Sequence, residues 1–270
     1  MKAVRIHEYG GPEKLQLDLD VPDPVCGDDT VLIEAAATSI NPIDWKIRSG
    51  ARQKDMPQKL PAILGRDVSG IVRAVGLNIR TFKPGERVLA MTSATYAELV
   101  PVEGKNVTHL PDGLNLIDAA AIPLVILTGD QLVTVAARAE RGQTFIISGA
   151  LGSVGRAAVH TAKKRGVRVI AGVRKRQLQE AASLGAVGTL AIDDDDALAK
   201  APQVDGVMDT VGGETAAKLF ARVRDGGSFA YASVLPEGTA ATNPSVKVSR
   251  VFAQPDASKV REFADDVRDG

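Results

Sequence analysis

One cysteine, Cys26, stands in 270 residues. That excludes an intramolecular disulfide and a zinc site built on several thiolates, and it suits a reducing cytosol, where we expect the protein to reside. Net charge is lacking too, since Lys plus Arg and Asp plus Glu number 33 each. No global field therefore draws the chain to nucleic acid or to an acidic membrane surface. No apolar signal core follows Met1, whose successors Lys2-Ala3-Val4-Arg5-Ile6 enter a strand-like alternation directly, and no run is expected to span a bilayer. The three histidines, His7, His109 and His160, fall in three different elements, so no metal cluster can be drawn from them. Internal repeats are absent. What remains is the makeup of an ordinary globular chain, 44% hydrophobic and 24% charged, with room for two domains. Its expected partners are small molecules and a second copy of itself.

The most informative stretch is Thr144 to Gly155, T-F-I-I-S-G-A-L-G-S-V-G. Four apolar or β-branched residues predict a buried strand, and the glycine-bearing turn after them enters a helical pattern. A strand, a glycine turn and a helix form a phosphate cradle. Gly152 lets the backbone approach a pyrophosphate, Gly155 lets the helix pack closely on the strand, and the unpaired N–H groups at the helix start attract the anion. The usual fingerprint is G-x-G-x-x-G; here Ala150 takes the first glycine's place, with Gly149 just before it. Taken alone, such a turn is also compatible with a simple tight connection.

Val167-Arg168-Val169-Ile170-Ala171-Gly172 predicts the second strand, so the βαβ unit is complete. At its end the acidic residue expected of an NAD site is missing; the chain offers Val173 and then Arg174, Lys175 and Arg176. A carboxylate would repel a 2′-phosphate, whereas a guanidinium grips one through parallel charged hydrogen bonds. NADPH is therefore expected over NADH. Three cations at a helix start also suit a solvated surface, but the helix dipole disfavours them there.

Up to about Val102 the pattern is of short strands broken by Gly and Pro: Lys2–Glu8, Leu15–Leu19, Thr30–Thr38, Gly70–Val75, Arg87–Met91 and Tyr96–Val102. These suggest a partly closed β domain. From Ile117 to about Val251 helical stretches alternate with apolar strands at Thr144–Ser148, Val167–Gly172, Thr189–Ile192, Gly206–Thr210, Ser228–Ala232 and Lys247–Phe252. Six such strands with crossover helices suit a Rossmann sheet. The acidic run from Asp193 to Asp196 more naturally opens a helix than binds a cation.

Further segments make the chain resemble the zinc-independent NADPH:quinone oxidoreductase group of the medium-chain dehydrogenase/reductase superfamily over essentially its whole length. They are Ile40-Asn41-Pro42-Ile43-Asp44-Trp45-Lys46, the G-x-D-x-x-G-x-V stretch from Gly65 to Val72, Phe82-Lys83-Pro84-Gly85-Glu86-Arg87-Val88, Ala121 to Gly129, and Asp209-Thr210-Val211-Gly212-Gly213. The resemblance implies a GroES-like, partly open β-barrel catalytic domain over residues 1–122 and 253–270, and a doubly wound parallel Rossmann domain over 123–252. Where zinc-dependent relatives carry Cys and His ligands, this chain has Asn41 and Arg66, so no metal is expected.

Without zinc, the natural chemistry is hydride delivery from NADPH to an acceptor already activated by conjugation, a quinone or an α,β-unsaturated carbonyl. Lys46 is the candidate donor to the developing oxyanion, or else a solvated charge on a short helix. Related quinone reductases often carry Tyr at the matching position and some enone reductases carry Lys. Asn41 either holds the substrate oxygen or caps the helix starting at Pro42. Arg66 and Asp67 are expected to tie the two domains together near the cleft. By resemblance Thr128 faces the nicotinamide; Gly149, Ala150, Leu151, Gly152, Ser153 and Val154 cradle the phosphates; Arg174, Lys175 and Arg176 hold the 2′-phosphate; and Val211, Ala232 and Ser233 border the nicotinamide. Relatives pair through the edge strand matching Lys247–Phe252, implying a homodimer.

Two departures stand out. Only Thr92-Ser93-Ala94-Thr95 separates Met91 from Tyr96, where relatives carry a longer glycine-rich loop. The family pattern also continues past the segment that ends here at Gly270, so truncation is expected. An enoyl-thioester reductase and a cofactor-binding redox sensor without turnover therefore stay open as alternatives.

Overall fold

The computed structural model describes all 270 residues, which gather into two compact units, Met1–Leu124 with Pro255–Gly270 and Val125–Gln254.

In the first unit the strands are β1 (Ala3–Ile6), β2 (Leu15–Asp18), β3 (Thr30–Ala37), β4 (Ala62–Ile63), β5 (Asp67–Val75), β6 (Arg87–Met91), β7 (Leu99–Glu103) and β8 (Val107–His109), with helix α1 (Pro42–Arg48) between β3 and β4. Three strands form an antiparallel sheet in the order β2-β1-β4, and five form another in the order β7-β3-β5-β6-β8. Alternate residues of the larger sheet, among them Val31, Ile33, Val68, Val72, Val88, Ala90, Val100 and Val102, meet in one core around Phe82. Side-chain alternation along each strand turns these residues to one face, and that face fills the interior. Gly70 has a packing reason: a Cβ there would lie 2.1 Å from the Glu34 carbonyl oxygen on β3. This unit is the GroES-like partly open barrel.

The second unit begins within α2 (Pro123–Gln131), which runs into a π-helical turn at Leu132–Ala136. Its elements are β9 (Thr144–Ser148), α3 (Ser153–Lys164), β10 (Arg168–Val173), α4 (Leu178–Ala181), β11 (Gly188–Ala191), α5 (Asp195–Lys200), β12 (Val204–Asp209), α6 (Gly213–Phe220), β13 (Val223–Tyr231) and β14 (Lys247–Arg250). All six strands run parallel in the order β11-β10-β9-β12-β13-β14. This is the Rossmann order, with the direction of winding reversing between β9 and β12. Phe145 and Ile147 of β9 face a core shared with Ala158, Val159 and Ala162 of α3. Ile146 faces the opposite core, with Leu219 and Phe220 of α6. Each such wholly buried side chain contributes about 1.5–3 kcal/mol, which is why a central strand reads as a continuous apolar run.

The chain returns to the first unit as α7 (Ala257–Asp269), which buries Val260, Phe263 and Ala264. Asp256 caps it by accepting the Lys259 N–H at 2.9 Å.

Several boundaries differ from those expected. The strand expected at Tyr96–Val102 starts at Leu99, because Thr92 to Glu98 is drawn into backbone bonds with Arg66, Leu64 and Lys2. Strands β4 and β8, of two and three residues, are too short to show a period. Asp118–Ala136 is long and apolar enough to cross a bilayer by length and composition alone. More than half of that window is buried in the fold, which accounts for its apolarity as a core segment.

Candidate active site

Gly149 turns the chain out of β9 with φ of +66°, a left-handed conformation, so the residue just before the fingerprint position makes the turn. Ala150 is then free to be an ordinary buried residue, its N–H bonded to the Gly172 carbonyl at 3.1 Å. Gly152 caps α3 and is exposed, with a single backbone atom 3.2 Å from where its Cβ would stand. A Cβ on Gly155 would fall 2.1 Å from the Gly149 carbonyl oxygen, so only glycine lets α3 start this close to the turn. Leu151 and Val154 are half-buried and Ser153 is exposed. The N–H groups of the first turn of α3 have no acceptor within the helix. The residues present therefore fit a dinucleotide pyrophosphate.

Because the strands are parallel, their carboxyl ends share one edge, and most of the expected cofactor residues follow those ends. Arg174, Lys175 and Arg176, all exposed, follow β10. They differ in their partners. Lys175 pairs with Asp194 at 2.8 Å, and its backbone N–H is accepted by Asp193 at 2.7 Å. The guanidinium groups of Arg174 and Arg176 pair with no carboxylate. The acidic run opens α5, Asp194 accepting the Ala197 N–H at 3.1 Å.

Val211 follows β12, and Ala232 and Ser233 follow β13, with the Ser233 hydroxyl donating to the Val211 carbonyl at 3.1 Å. Asp209, wholly buried, accepts the Ser148 hydroxyl at 2.5 Å, the Gly212 N–H at 2.8 Å and the Val211 N–H at 3.3 Å. Burial raises its carboxyl above the ordinary range against the pull of those bonds. Thr128 lies half-buried on α2. Beside it Gly129 has no room for a side chain, since a Cβ would meet Ala157 of α3 at 2.6 Å.

A second polar cluster lies in the first unit. Asn41 precedes Pro42 and stands at the N-cap of α1; its N–H donates to Asp44 at 2.7 Å, the reciprocal half of a capping box. Its side-chain amide donates to Ser39 at 2.8 Å and to Asp67 at 2.8 Å. Asp67 also accepts the Ser39 hydroxyl and, at 2.7 Å, the Leu124 N–H. These bonds all lie within the first unit. Burial raises the carboxyls of both Asp44 and Asp67. Tyr96 donates to Asp44 at 2.9 Å, and its phenol is held well above its usual range, first by burial and then by the Asp44 charge. Arg66 lends positive charge to Asp44. Lys46 makes no ion pair; its ammonium lies 5.7 Å from the ring of the half-exposed Trp45.

Motif reading gave no role to several residues bonded in these two networks: Ser39, Thr95 and Tyr96 here, and Ser148 and Asp209 in the second unit. A signal existed for Asp209, a carboxylate closing β12 directly after Val207 and Met208. None existed for Tyr96, whose partner lies 52 residues away. No group of three or more His, Cys, Asp or Glu side chains is disposed to hold a metal ion.

Residues 27–112 match the alcohol dehydrogenase GroES-like domain family, and residues 153–255 match the zinc-binding dehydrogenase family. The chain is 36% identical to the quinone oxidoreductase of Mus musculus over 172 residues, 63% of this chain and 51% of that protein. It thus spans about half the length of the curated relatives it matches. Among solved structures, the quinone oxidoreductase from Coxiella burnetii superposes with a TM-score of 0.85 at 27% identity, over 100% of this chain and 88% of that one. A mycobacterial protein complexed with NADPH superposes with a TM-score of 0.82 at 26% identity, again over 100% and 88%.

Proposed function

The chain belongs to the medium-chain dehydrogenase/reductase superfamily, in its quinone oxidoreductase group, and on that premise we propose that it is an NADPH-dependent reductase of quinones or α,β-unsaturated carbonyls that works without zinc. The observation that carries the proposal is the pair of exposed, carboxylate-free guanidinium groups at the end of β10, beside an open glycine turn at a helix start. Cofactor phosphates are held by the backbone N–H groups of Leu151, Ser153 and Val154, Gly152 spending its own on the Gly149 carbonyl at 2.8 Å, and the extra 2′-phosphate by Arg174 and Arg176. Lys175 contributes less to that grip, because Asp194 already occupies its ammonium.

The nicotinamide, when bound, supplies a hydride to the substrate, and a proton completes the reduction to hydroquinone or saturated carbonyl. Thr128, Val211, Ala232 and Ser233 border the nicotinamide. Lys46, half-buried and in no ion pair, donates to the oxygen on which negative charge develops. Asn41 sets the start of α1, its side-chain amide committed to Ser39 and Asp67. A committed amide supports the capping role over direct contact with substrate. Zinc independence is supported by the same residues: an amide bonded to a carboxylate and an arginine stand where relatives place metal ligands.

Mixing the protein with NADPH and a panel of quinones, enones, alkenals and enoyl thioesters, while following nicotinamide absorbance, tests the assignment. Oxidation with quinones or enones that survives dialysis against a chelator is expected. Oxidation only with enoyl thioesters would assign the thioester reductase instead. Cofactor binding with no oxidation by any acceptor would assign a sensor.

A further inference from the structure

Asp209 is a buried carboxyl without a cationic partner. It ends β12 next to Ser148 of β9, at the point where the sheet reverses its winding, and no Lys, Arg or His pairs with it. Its partners are all donors. The Ser148 hydroxyl oxygen accepts the Thr210 N–H at 3.0 Å, so its own proton is directed at Asp209, 2.5 Å away. The N–H groups of Val211 and Gly212 serve the same carboxyl. A carboxyl surrounded only by donors is arranged for its ionised form. Thr210 completes the brace by donating its hydroxyl to the Ser148 carbonyl at 2.8 Å.

An ionised group in an apolar core is costly unless a compensating charge arrives. The chain supplies none. A nicotinamide does so in one of its two redox states: the oxidised ring is a cation and the reduced ring is neutral. We propose that Asp209 supplies a fixed negative charge that favours the oxidised over the reduced cofactor, which makes bound NADPH a stronger hydride donor than free NADPH. The inference rests on the preceding assignment of a nicotinamide dinucleotide to the carboxyl edge of this sheet. It also gives the Ser148-Asp209-Thr210 brace a purpose, since it fixes the charge in place while joining the phosphate turn after β9 to the turn after β12.

The test is the ratio of the dissociation constants for NADP⁺ and NADPH, each measured by fluorescence or calorimetric titration, in the wild type, Asp209→Asn and Ser148→Ala. A unit charge acting over about 10 Å at an effective dielectric of about 20 changes an equilibrium by a factor on the order of ten. Asp209→Asn is therefore expected to raise the NADP⁺/NADPH ratio about tenfold. Ser148→Ala keeps the charge, so it leaves the ratio unchanged even where both affinities fall. Should the asparagine variant not fold, Asp209→Ser, which is smaller and neutral, is measured in its place. Equal weakening of both redox forms in the neutral variants overturns the proposal and leaves Asp209 as a turn brace only. A ratio shift of the same size in Ser148→Ala overturns it as well. Failure of the wild type to bind any nicotinamide dinucleotide instead removes the assignment beneath it; binding of NAD⁺ and NADH alone transfers the same test to that pair.

Discussion

Arg174 and Lys175 are adjacent cations with different partners, and the difference is energetic rather than compositional. Lys175 is engaged by Asp194 and Asp193, while the Arg174 guanidinium pairs with no carboxylate. Sequence showed three cations in a row; it did not show that an acidic run 18 residues on would engage one of them. Asp194→Ala is therefore expected to release Lys175 and leave NADPH affinity unchanged or slightly tighter, measured by titration. Lys46→Ala is expected to lower kcat about ten- to a hundredfold while leaving the cofactor dissociation constant nearly unchanged; an unchanged kcat would return Lys46 to the solvated surface. Asp67 bears on stability. Burial raises its folded carboxyl above its unfolded value, and such a group adds stability below its unfolded pKa and loses it as pH rises through the folded one. The stability of wild type relative to Asp67→Asn should fall as pH is raised from about 4 towards neutrality. Thermal melts of both proteins across that window provide the check.

Among the elements, legibility followed length and period. β6 and β9 could be read to the residue, because each is a run of apolar residues with a clear break at its end. The loop after β6 could not be interpreted from its four residues. In the structure it is anchored from both sides: Thr95 bonds Thr38 at 2.8 Å, and Gly65, with φ of +96°, makes space for the Thr95 hydroxyl and the Tyr96 ring, which a Cβ would meet at 2.3 and 2.5 Å. These are pairings between distant segments, and no local pattern encodes them. The start of α3 was legible because its constraint is local. Gly155→Ala puts a methyl 2.1 Å from the Gly149 carbonyl oxygen. We expect it to destabilise the fold by about 1–3 kcal/mol and to weaken dinucleotide binding, as read from thermal melts and cofactor titration.

At the scale of the molecule, two units of different construction divide the work proposed for them: an antiparallel barrel carrying Lys46 and the Asn41-Asp67 cluster, and a parallel sheet carrying the phosphate cradle. The alternation of patterns along the chain revealed that division, because half-buried and fully buried strands differ in hydrophobic period. Strand β14 closes one edge of the parallel sheet with nothing beyond it, the kind of edge through which a second copy would pair. Sedimentation velocity is expected to return twice the chain mass. The central claim is that a phosphorylated dinucleotide is gripped by the cradle of α3 on one side and by Arg174 on the other. Titration of NADPH and NADH into the wild type and Arg174→Ala tests it most directly. The claim predicts a loss of about ten- to a hundredfold for NADPH and almost none for NADH; equal losses for both cofactors would contradict it.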